Sequence, residues 1–471
     1  MKTLHHGFTS PRTRLAGAAA TSSRSALSMV LVSALLGSSA LLAGCPDDAE
    51  APANTATSSG VGGGDDASGG GGDDASGGGG DDASGGGGGD ASGGGGGAGH
   101  PPAECAGSTE SANTDPDDPV QQGADHLVRD LKFPAVLAAV QDVDGETRHY
   151  VAGVADLETQ AKVPVDGQVR IGSNTKPFTA VVVLQLVGEG KVDLDAPIET
   201  YLPNLVRGEG IDGNDITVRQ LLQHTSGLPD FVGVLLGDGL AKVQHTYFDP
   251  RTLLDLALTQ AEDFPPGDRW AYSNTNYIVA GLIVEKVTGR PLAEEITERV
   301  IQRIGLRHTY VPRIGDQSIR ECHPRGYHAD GFGDPLYDVT ELDPSIAGAS
   351  GDMISTPGDL NRFFSALLGG ELLEPAQLEE MRTTVDASSM WPGYEYGLGL
   401  SSTPLSCGGV VWGHGGDIFG YETAGGVTED GRAVAVAVTA LPSAVPGVQT
   451  REQAYEAYAG VLALVDTALC P

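Results

Sequence analysis

Positive charge is what this 471-residue chain has least of: 28 Lys and Arg stand against 63 Asp and Glu, a formal net charge of -35. Phosphate backbones are held by clustered Lys and Arg. The chain has no such cluster, which excludes nucleic acid as a partner. Metal-ligand spacing is missing as well. The 11 histidines are scattered, with no His-x-x-x-His and no Cys-x-x-Cys pair; this argues against a metalloenzyme, and neither metal nor cofactor is expected. Between Cys45 and Arg129 there is not one Lys or Arg, so that stretch has no opposite charge with which to build ion pairs around a core.

Of the 69 glycines, 25 are concentrated in the same stretch. Asp-Asp-Ala-Ser followed by glycines repeats from Asp65, Asp73 and Asp81, with a degenerate copy ending in Asp90-Ala91-Ser92. A Gly/Ser backbone is flexible and the like charges repel, while the nonapeptide spacing of calcium-binding β-helices is absent. Residues 45–118 therefore read as a disordered tether, on the order of 50 Å root mean square. Ahead of it, Lys2, Arg12, Arg14 and Arg24 precede an apolar run from Ala26 to Ala43 that closes on Leu42-Ala43-Gly44-Cys45. The pattern resembles a bacterial lipoprotein signal, which implies that residues 1–44 are removed and Cys45 carries lipid. The expected localisation is the bacterial cell envelope, lipid-anchored to a membrane and facing the periplasm or the outside. As a retained span the apolar run is only marginally long enough.

Residues 119–471 have the composition of a globular domain. Val120 to Leu131 has helical apolar spacing; Pro134 to Asp142 and Thr147 to Ala155 read as strands joined by a turn at Asp144-Gly145. From Phe178 to Val187 the run is apolar nearly all round, which predicts a helix inside the protein, opening with Ser173 and Lys176. Pro177 is tolerated so early in a helix. A hydroxyl there meets the positive end of the helix dipole, and a residue three positions on lies one turn below on the same face. That spacing lets an amine touch the hydroxyl. Thr217 to Gln223, Pro250 to Ala261 and Asn276 to Val287 carry a 3.6 period, so about 177–293 reads as a helical insert. Gly409 to Trp412, Tyr421 to Val427 and Ala433 to Thr439 read as antiparallel strands, and Arg451 to Leu469 as a last helix. The expected fold class is α/β: an antiparallel sheet flanked by N- and C-terminal helices, with an inserted all-helical domain.

Two further short motifs stand out. Tyr272-x-Asn274 falls in a turn ahead of the helix from Asn276, where Asn and Ser could be ordinary caps. Trp412-Gly-His-Gly-Gly-Asp417 is expected to run along a strand, with glycines after His414 that leave room for a backbone or ligand. In order, Ser173-x-x-Lys176, Tyr272-x-Asn274 and His414-x-Gly416 resemble the three signatures of the class C β-lactamase and D-alanyl-D-alanine carboxypeptidase family, penicillin-recognising serine hydrolases. Arg219-Gln-Leu-Leu-Gln-His-Thr-Ser-Gly-Leu-Pro229 and Tyr396-Gly-Leu-Gly-Leu400 look like text of the same family, closest to secreted D,D-carboxypeptidases.

That resemblance implies a β-lactamase/transpeptidase-like fold and an acyl-enzyme. Ser173 would be the nucleophile, with Lys176 and Tyr272 sharing its proton and the choice of base open. His414 would sit beside Tyr272, steadying the phenolate. Asn274 would orient Lys176 and bind the substrate amide. The oxyanion would meet the N–H groups of Ser173 and Asp417, next to Gly415 and Gly416. The expected substrates are peptidoglycan stem peptides or related small amides, for a monomer. An esterase or amidase, a weak β-lactamase, and a penicillin-binding sensor without turnover are the alternatives. Likeness to the secreted carboxypeptidases also implies a Cys407–Cys470 disulfide, which leaves Cys105 with Cys322 for a second bridge in an oxidising compartment.

The third motif departs from the family pattern. Its relatives usually carry Thr in the middle and a hydroxyl residue just after, where both hold a substrate carboxylate; here those positions are Gly415 and Asp417. An ionised Asp repels a carboxylate in a partly desolvated site. The departure predicts a preference for esters or amides over peptides ending in a free carboxylate.

Overall fold

The computed structural model describes residues 111–471. The expected signal, the Cys45 expected to carry lipid, Cys105 and nearly all of the expected tether lie outside those residues. Contact with the sheet begins at Ala112, which bridges His149, while the Asn113 amide donates to the His149 carbonyl at 2.7 Å. Helix α1 follows over Pro119–Arg129. Its start is written locally: Pro119 fixes φ at the first turn, and the Asp118 carboxylate accepts from the Val120 amide at 2.8 Å.

The sheet has nine strands. They are β1 (Ala135–Gln141), β2 (Thr147–Gly153), β3 (Val385–Asp386), β4 (Glu395–Tyr396), β5 (Ser401–Pro404), β6 (Val410–Gly413), β7 (Gly416–Ile418), β8 (Tyr421–Thr428) and β9 (Ala433–Val438). The spatial order is β2-β1-β9-β8-β6-β5-β4-β3, with β7 pairing the start of β8. All of these pairs are antiparallel. Strands from both ends of the chain thus meet in the middle, Val136 opposite Val438.

Side-chain alternation in β9 sorts the two faces. Val434, Val436 and Val438 join Val136, Ala138 and Val140 of β1 under α1 and the C-terminal helix α7 (Arg451–Leu469). Ala433, Ala435 and Ala437 face the other way, and their small side chains let α6 (Pro357–Leu368) lie close. The result is helix, sheet, helix. Each valine that leaves water contributes about 1.5–3 kcal/mol.

Between β2 and α6 stand α2 (Thr175–Gly188), α3 (Val218–Leu222), α4 (Pro250–Ala257) and α5 (Thr275–Thr288). Every side chain of α2 from Phe178 to Leu184 is buried, and half-buried Gln185 donates to the Leu372 carbonyl at 2.9 Å. The helix without a wet face is central, as its composition predicts. α3 opens with a reciprocal cap, the Gln220 amide on Thr217 Oγ1 and the Thr217 amide on Gln220 Oε1.

Two local expectations are corrected. Ser173 does not begin the α-helix but sits on a 3-10 turn, Gly172–Asn174, that leads into α2. The third motif is not one continuous strand. The ladder is interrupted at His414 and Gly415, with β6 pairing the far end of β8 and β7 its near end. Close backbone packing on either side fixes the break: a Cβ on Gly413 would lie 2.0 Å from the Gly425 carbonyl oxygen, and one on Gly416 2.0 Å from that of Ile171.

Candidate active site

The interrupted ladder brings the third motif onto the first. Gly172, at φ +49, presents its bare Cα to β7, where a Cβ would lie 2.7 Å from the Asp417 carbonyl oxygen and 2.9 Å from its amide nitrogen. Thr423 of β8 pins the same turn, accepting from Asn174 Nδ2 at 2.7 Å and donating to the Ile171 carbonyl at 3.2 Å. Ser173 and the Gly416-Asp417 backbone are thereby held together, the pair of segments that the resemblance assigns to the oxyanion.

Lys176 lies one turn into the protein from Ser173, with no exposed surface. Its Nζ is 2.9 Å from Ser173 Oγ, 2.8 Å from Asn274 Oδ1 and 2.9 Å from the Ser350 carbonyl oxygen. Burial pushes its pKa down to about 7, against the opposing pull of Asp230 and Asp417. The amine therefore changes charge near neutrality, within reach of the hydroxyl.

Asn274 stands just before α5, and its amide cannot turn freely. Its Nδ2 donates to Asp230 Oδ2 at 2.8 Å, as does its backbone N–H at 3.1 Å, which leaves Oδ1 for Lys176. Neither Asp230 nor Ser350 is singled out by the sequence motifs. Asp230 does follow directly on the family-like run ending at Pro229, and that adjacency is the one signal that could have found it.

Tyr272 stands beside Ser173 and Lys176, its ring centroid 4.8 Å from Lys176 Nζ, and Ser173 draws its phenol down against burial. Burial pushes the phenol well above its ordinary value. His224, at φ +60 in the buried turn after α3, packs against it with ring centroids 4.3 Å apart and planes tilted by 33°. His224 Nδ1 accepts from the Ser273 amide at 3.3 Å and Asn276 Nδ2 at 3.0 Å, which ties the Tyr272 turn to α3.

His414 is held by two hydrogen bonds. Its Nδ1 meets the Gly415 carbonyl, which can only accept, so Nδ1 carries the proton and Nε2 accepts from the Tyr396 hydroxyl at 2.9 Å. Burial pushes it down to about 3, so the ring is neutral. Its centroid is 6.3 Å from that of Tyr272, and its hydrogen bonds run to Tyr396 and Gly415. Through those bonds the imidazole orders Tyr396 and the break in the strand.

A cavity of about 500 Å³ opens on Ser173, Tyr272 and Asn274. Phe231, Leu235, Ile346, Trp391, Tyr394 and Tyr458 are among its apolar and aromatic lining. Asp417 projects into it, open to the solvent of the cleft, yet the surrounding protein pushes its carboxyl up to about 6. Gly415 has room for a side chain, with the nearest atoms to a built Cβ at 3.6 and 3.8 Å. The missing Thr is therefore not forced by packing.

The bridge expected between Cys407 and Cys470 is present, with Cα atoms 5.6 Å apart. Cys322 is also disulfide-bonded; its expected partner Cys105 lies outside the described residues.

A buried lysine on a serine hydroxyl, a tyrosine beside both and a strand edge behind them define an active-serine hydrolase site. Residues 120–459 match the family model described as Beta-lactamase, and the chain belongs to that family. Among solved structures it is similar to a D-stereospecific amidohydrolase from Streptomyces sp., at 40% identity and a TM-score of 0.65, over 72% of this chain and 97% of that one. It is similar to the D-amino acid amidase of Ochrobactrum anthropi SV3 at 29% identity and a TM-score of 0.63, over 74% of this chain and 98% of the other. Penicillin-binding protein 4* of Bacillus subtilis (strain 168) is 26% identical over 288 residues, which are 58% of this chain and 61% of that protein.

Proposed function

We propose that the chain hydrolyses small amides or esters, D-amino-acid derivatives foremost, through an acyl-enzyme on Ser173. The observation that carries this reading is Lys176 Nζ held between Ser173 Oγ and Asn274 Oδ1, at 2.9 and 2.8 Å. Neutral Lys176 takes the hydroxyl proton as Oγ attacks the carbonyl carbon. The oxyanion is met by the backbone amides of Ser173 and Asp417, each worth about 3–4 kcal/mol in the transition state. The tetrahedral intermediate collapses when the leaving group takes a proton from Tyr272, which recovers one from Lys176. Water then attacks the ester by the same route in reverse.

The family offers carboxypeptidase, amidase and esterase activities, and Asp417 is the reason for preferring the last two. A D,D-carboxypeptidase must hold a terminal carboxylate where this chain puts a carboxylate of its own. The names of the Streptomyces and Ochrobactrum relatives support amide substrates of D configuration. The Leu42-Ala-Gly-Cys45 pattern and the bonded cysteines support an exported, lipid-anchored protein in the cell envelope.

Assays side by side on D-phenylalanine amide, a D-Ala-D-Ala peptide, a p-nitrophenyl ester and nitrocefin test the reading. Amide and ester should be turned over well ahead of the peptide, and Asp417→Thr should raise kcat/KM for the D-Ala-D-Ala peptide relative to its C-terminal amide. An unchanged ratio would remove Asp417 from the account of specificity, and a stable penicillin adduct without turnover would mark a sensor.

A further inference from the structure

The space left by the bare Cα of Gly415 is met from another element. Tyr458 of α7 reaches toward it, and a Cβ built on Gly415 would lie 3.8 Å from the Tyr458 hydroxyl. That is the volume a Thr side chain would enter. One bond beyond the Cβ, a Thr Oγ would come within hydrogen-bonding reach of the phenol. A hydroxyl missing from the third motif is thus matched by one that α7 delivers to the same place.

The phenol is fixed in position and has no partner of its own. Trp391, in the loop between β3 and β4, stacks on Tyr455 with centroids 4.8 Å apart and meets Tyr458 edge to face at 5.7 Å. Tyr455 and Tyr458 lie three residues apart on one face of α7, so Trp391 spans both rings and sets where the hydroxyl lies. Among the described residues no hydrogen bond engages that hydroxyl. Tyr458 lines the cavity together with Ser173, Gly415 and Asp417. Burial, and after it the charge of Asp417, hold the phenol well above its ordinary value, so it stays a donor throughout the working range.

Asp417, two residues on from Gly415, has the opposite character once ionised, since a carboxylate only accepts. A donor and an acceptor on one wall match a carboxamide, whose oxygen accepts and whose nitrogen donates. A substrate carboxylate has no N–H for Asp417 and sets its charge against it. An alkyl group pairs with neither, and leaves a hydroxyl and a carboxylate stripped of water with nothing in return.

We propose that Tyr458 is a specificity-determining residue: its hydroxyl replaces the side chain missing at Gly415 and, with the Asp417 carboxylate, selects an uncharged carboxamide on the leaving-group side of the scissile bond. This rests on the acyl-serine reading above and adds what that site recognises beyond the reacting carbonyl. The leaving-group side is where the family resemblance puts a terminal carboxylate, at the positions of Gly415 and Asp417.

The test compares D-phenylalanyl-D-alaninamide with its isostere carrying an isopropyl group in place of the carboxamide. Release of the amine is followed by chromatography for the full chain, for Tyr458→Phe and for Tyr458→Phe combined with Gly415→Thr, with thermal melts to verify folding. Wild-type kcat/KM should be about tenfold or more higher for the carboxamide, the size of one or two hydrogen bonds. Tyr458→Phe should lose most of that preference, a change in ratio that a general loss of activity does not produce. Adding Gly415→Thr should restore much of it, because a hydroxyl returns to the same volume. No preference in the wild type, a preference that survives Tyr458→Phe, or a folded double variant without recovery overturns the proposal. If a p-nitrophenyl ester is turned over while the two amides are treated alike, the acyl-serine reading stands and the role of Tyr458 falls. If neither ester nor amide is hydrolysed, the reading fails and takes this selectivity with it.

Discussion

At the scale of single residues the decisive fact is that Lys176 is buried without being paired to a carboxylate. Its amine meets a hydroxyl, an amide oxygen and a backbone carbonyl, and burial brings it to about 7. Below that pH the ammonium cannot accept the Ser173 proton; above it the free amine can. On a neutral ester, which gives Asp417 no charge to meet, kcat/KM should therefore rise with pH along a limb centred near 7. Asp230 supplies the largest opposing contribution at Lys176 and also fixes the Asn274 amide. In Asp230→Asn the anion is gone, so the limb should move to lower pH while kcat falls more than KM changes. A limb that stays where it was would take Lys176 out of the role of base. Tyr272 is the weaker candidate, because burial holds its phenol protonated.

At the scale of elements, the site depends on how closely β7 lies on the turn that carries Ser173. Gly416→Ala places a methyl 2.0 Å from the Ile171 carbonyl oxygen and 2.6 Å from Thr423 Oγ1, so the backbone itself must shift. Activity should drop by at least about 100-fold as the oxyanion donors separate, with a stability loss of about 1–3 kcal/mol. Gly415→Ala meets only ordinary contacts and should retain the fold; kinetics and melting of the two variants, compared, check the assignment. The elements themselves were largely legible from sequence. Ala433–Val438 and Arg451–Leu469 announce a doubly buried strand and a long helix by apolar pattern alone. The break at His414 was not legible, because it comes from the contact of Gly416 with Ile171, far away in sequence. The partner of His414 was hidden for the same reason: Tyr396 arrives from β4, across the sheet. Asp230 was missed because an acid's role is set by its surroundings, and nothing in the residue type tells a solvated Asp from one locked onto Asn274.

At the scale of the whole molecule, strands from the two ends of the domain share one sheet, and α7 closes it. The Cys407–Cys470 bridge fastens the end of that helix to the turn between β5 and β6, across a separation of 63 residues. Ser406 adds to the junction, its amide donating to Asp466 Oδ1 at 2.8 Å. The chain-entropy account assigns such a loop about 4 kcal/mol. Replacing both cysteines by alanine should lower the melting temperature by several degrees, by about 2–4 °C per kcal/mol for a domain of this size. Because α7 also carries Tyr458 into the cavity, the variant should lose substrate affinity before it unfolds; melting and KM measured together check this. The three short motifs are spread over most of the domain, and only the folding of α2, α5 and the β6–β8 edge onto one another makes them a site.

The most direct test of the account is the mass of the protein after rapid mixing with a p-nitrophenyl ester and acid quench, followed by peptide mapping. The account predicts one acyl group per chain, on the peptide containing Ser173, with neither adduct nor turnover in Ser173→Ala. An acyl group on any other residue, or hydrolysis by Ser173→Ala at the wild-type rate, would contradict it.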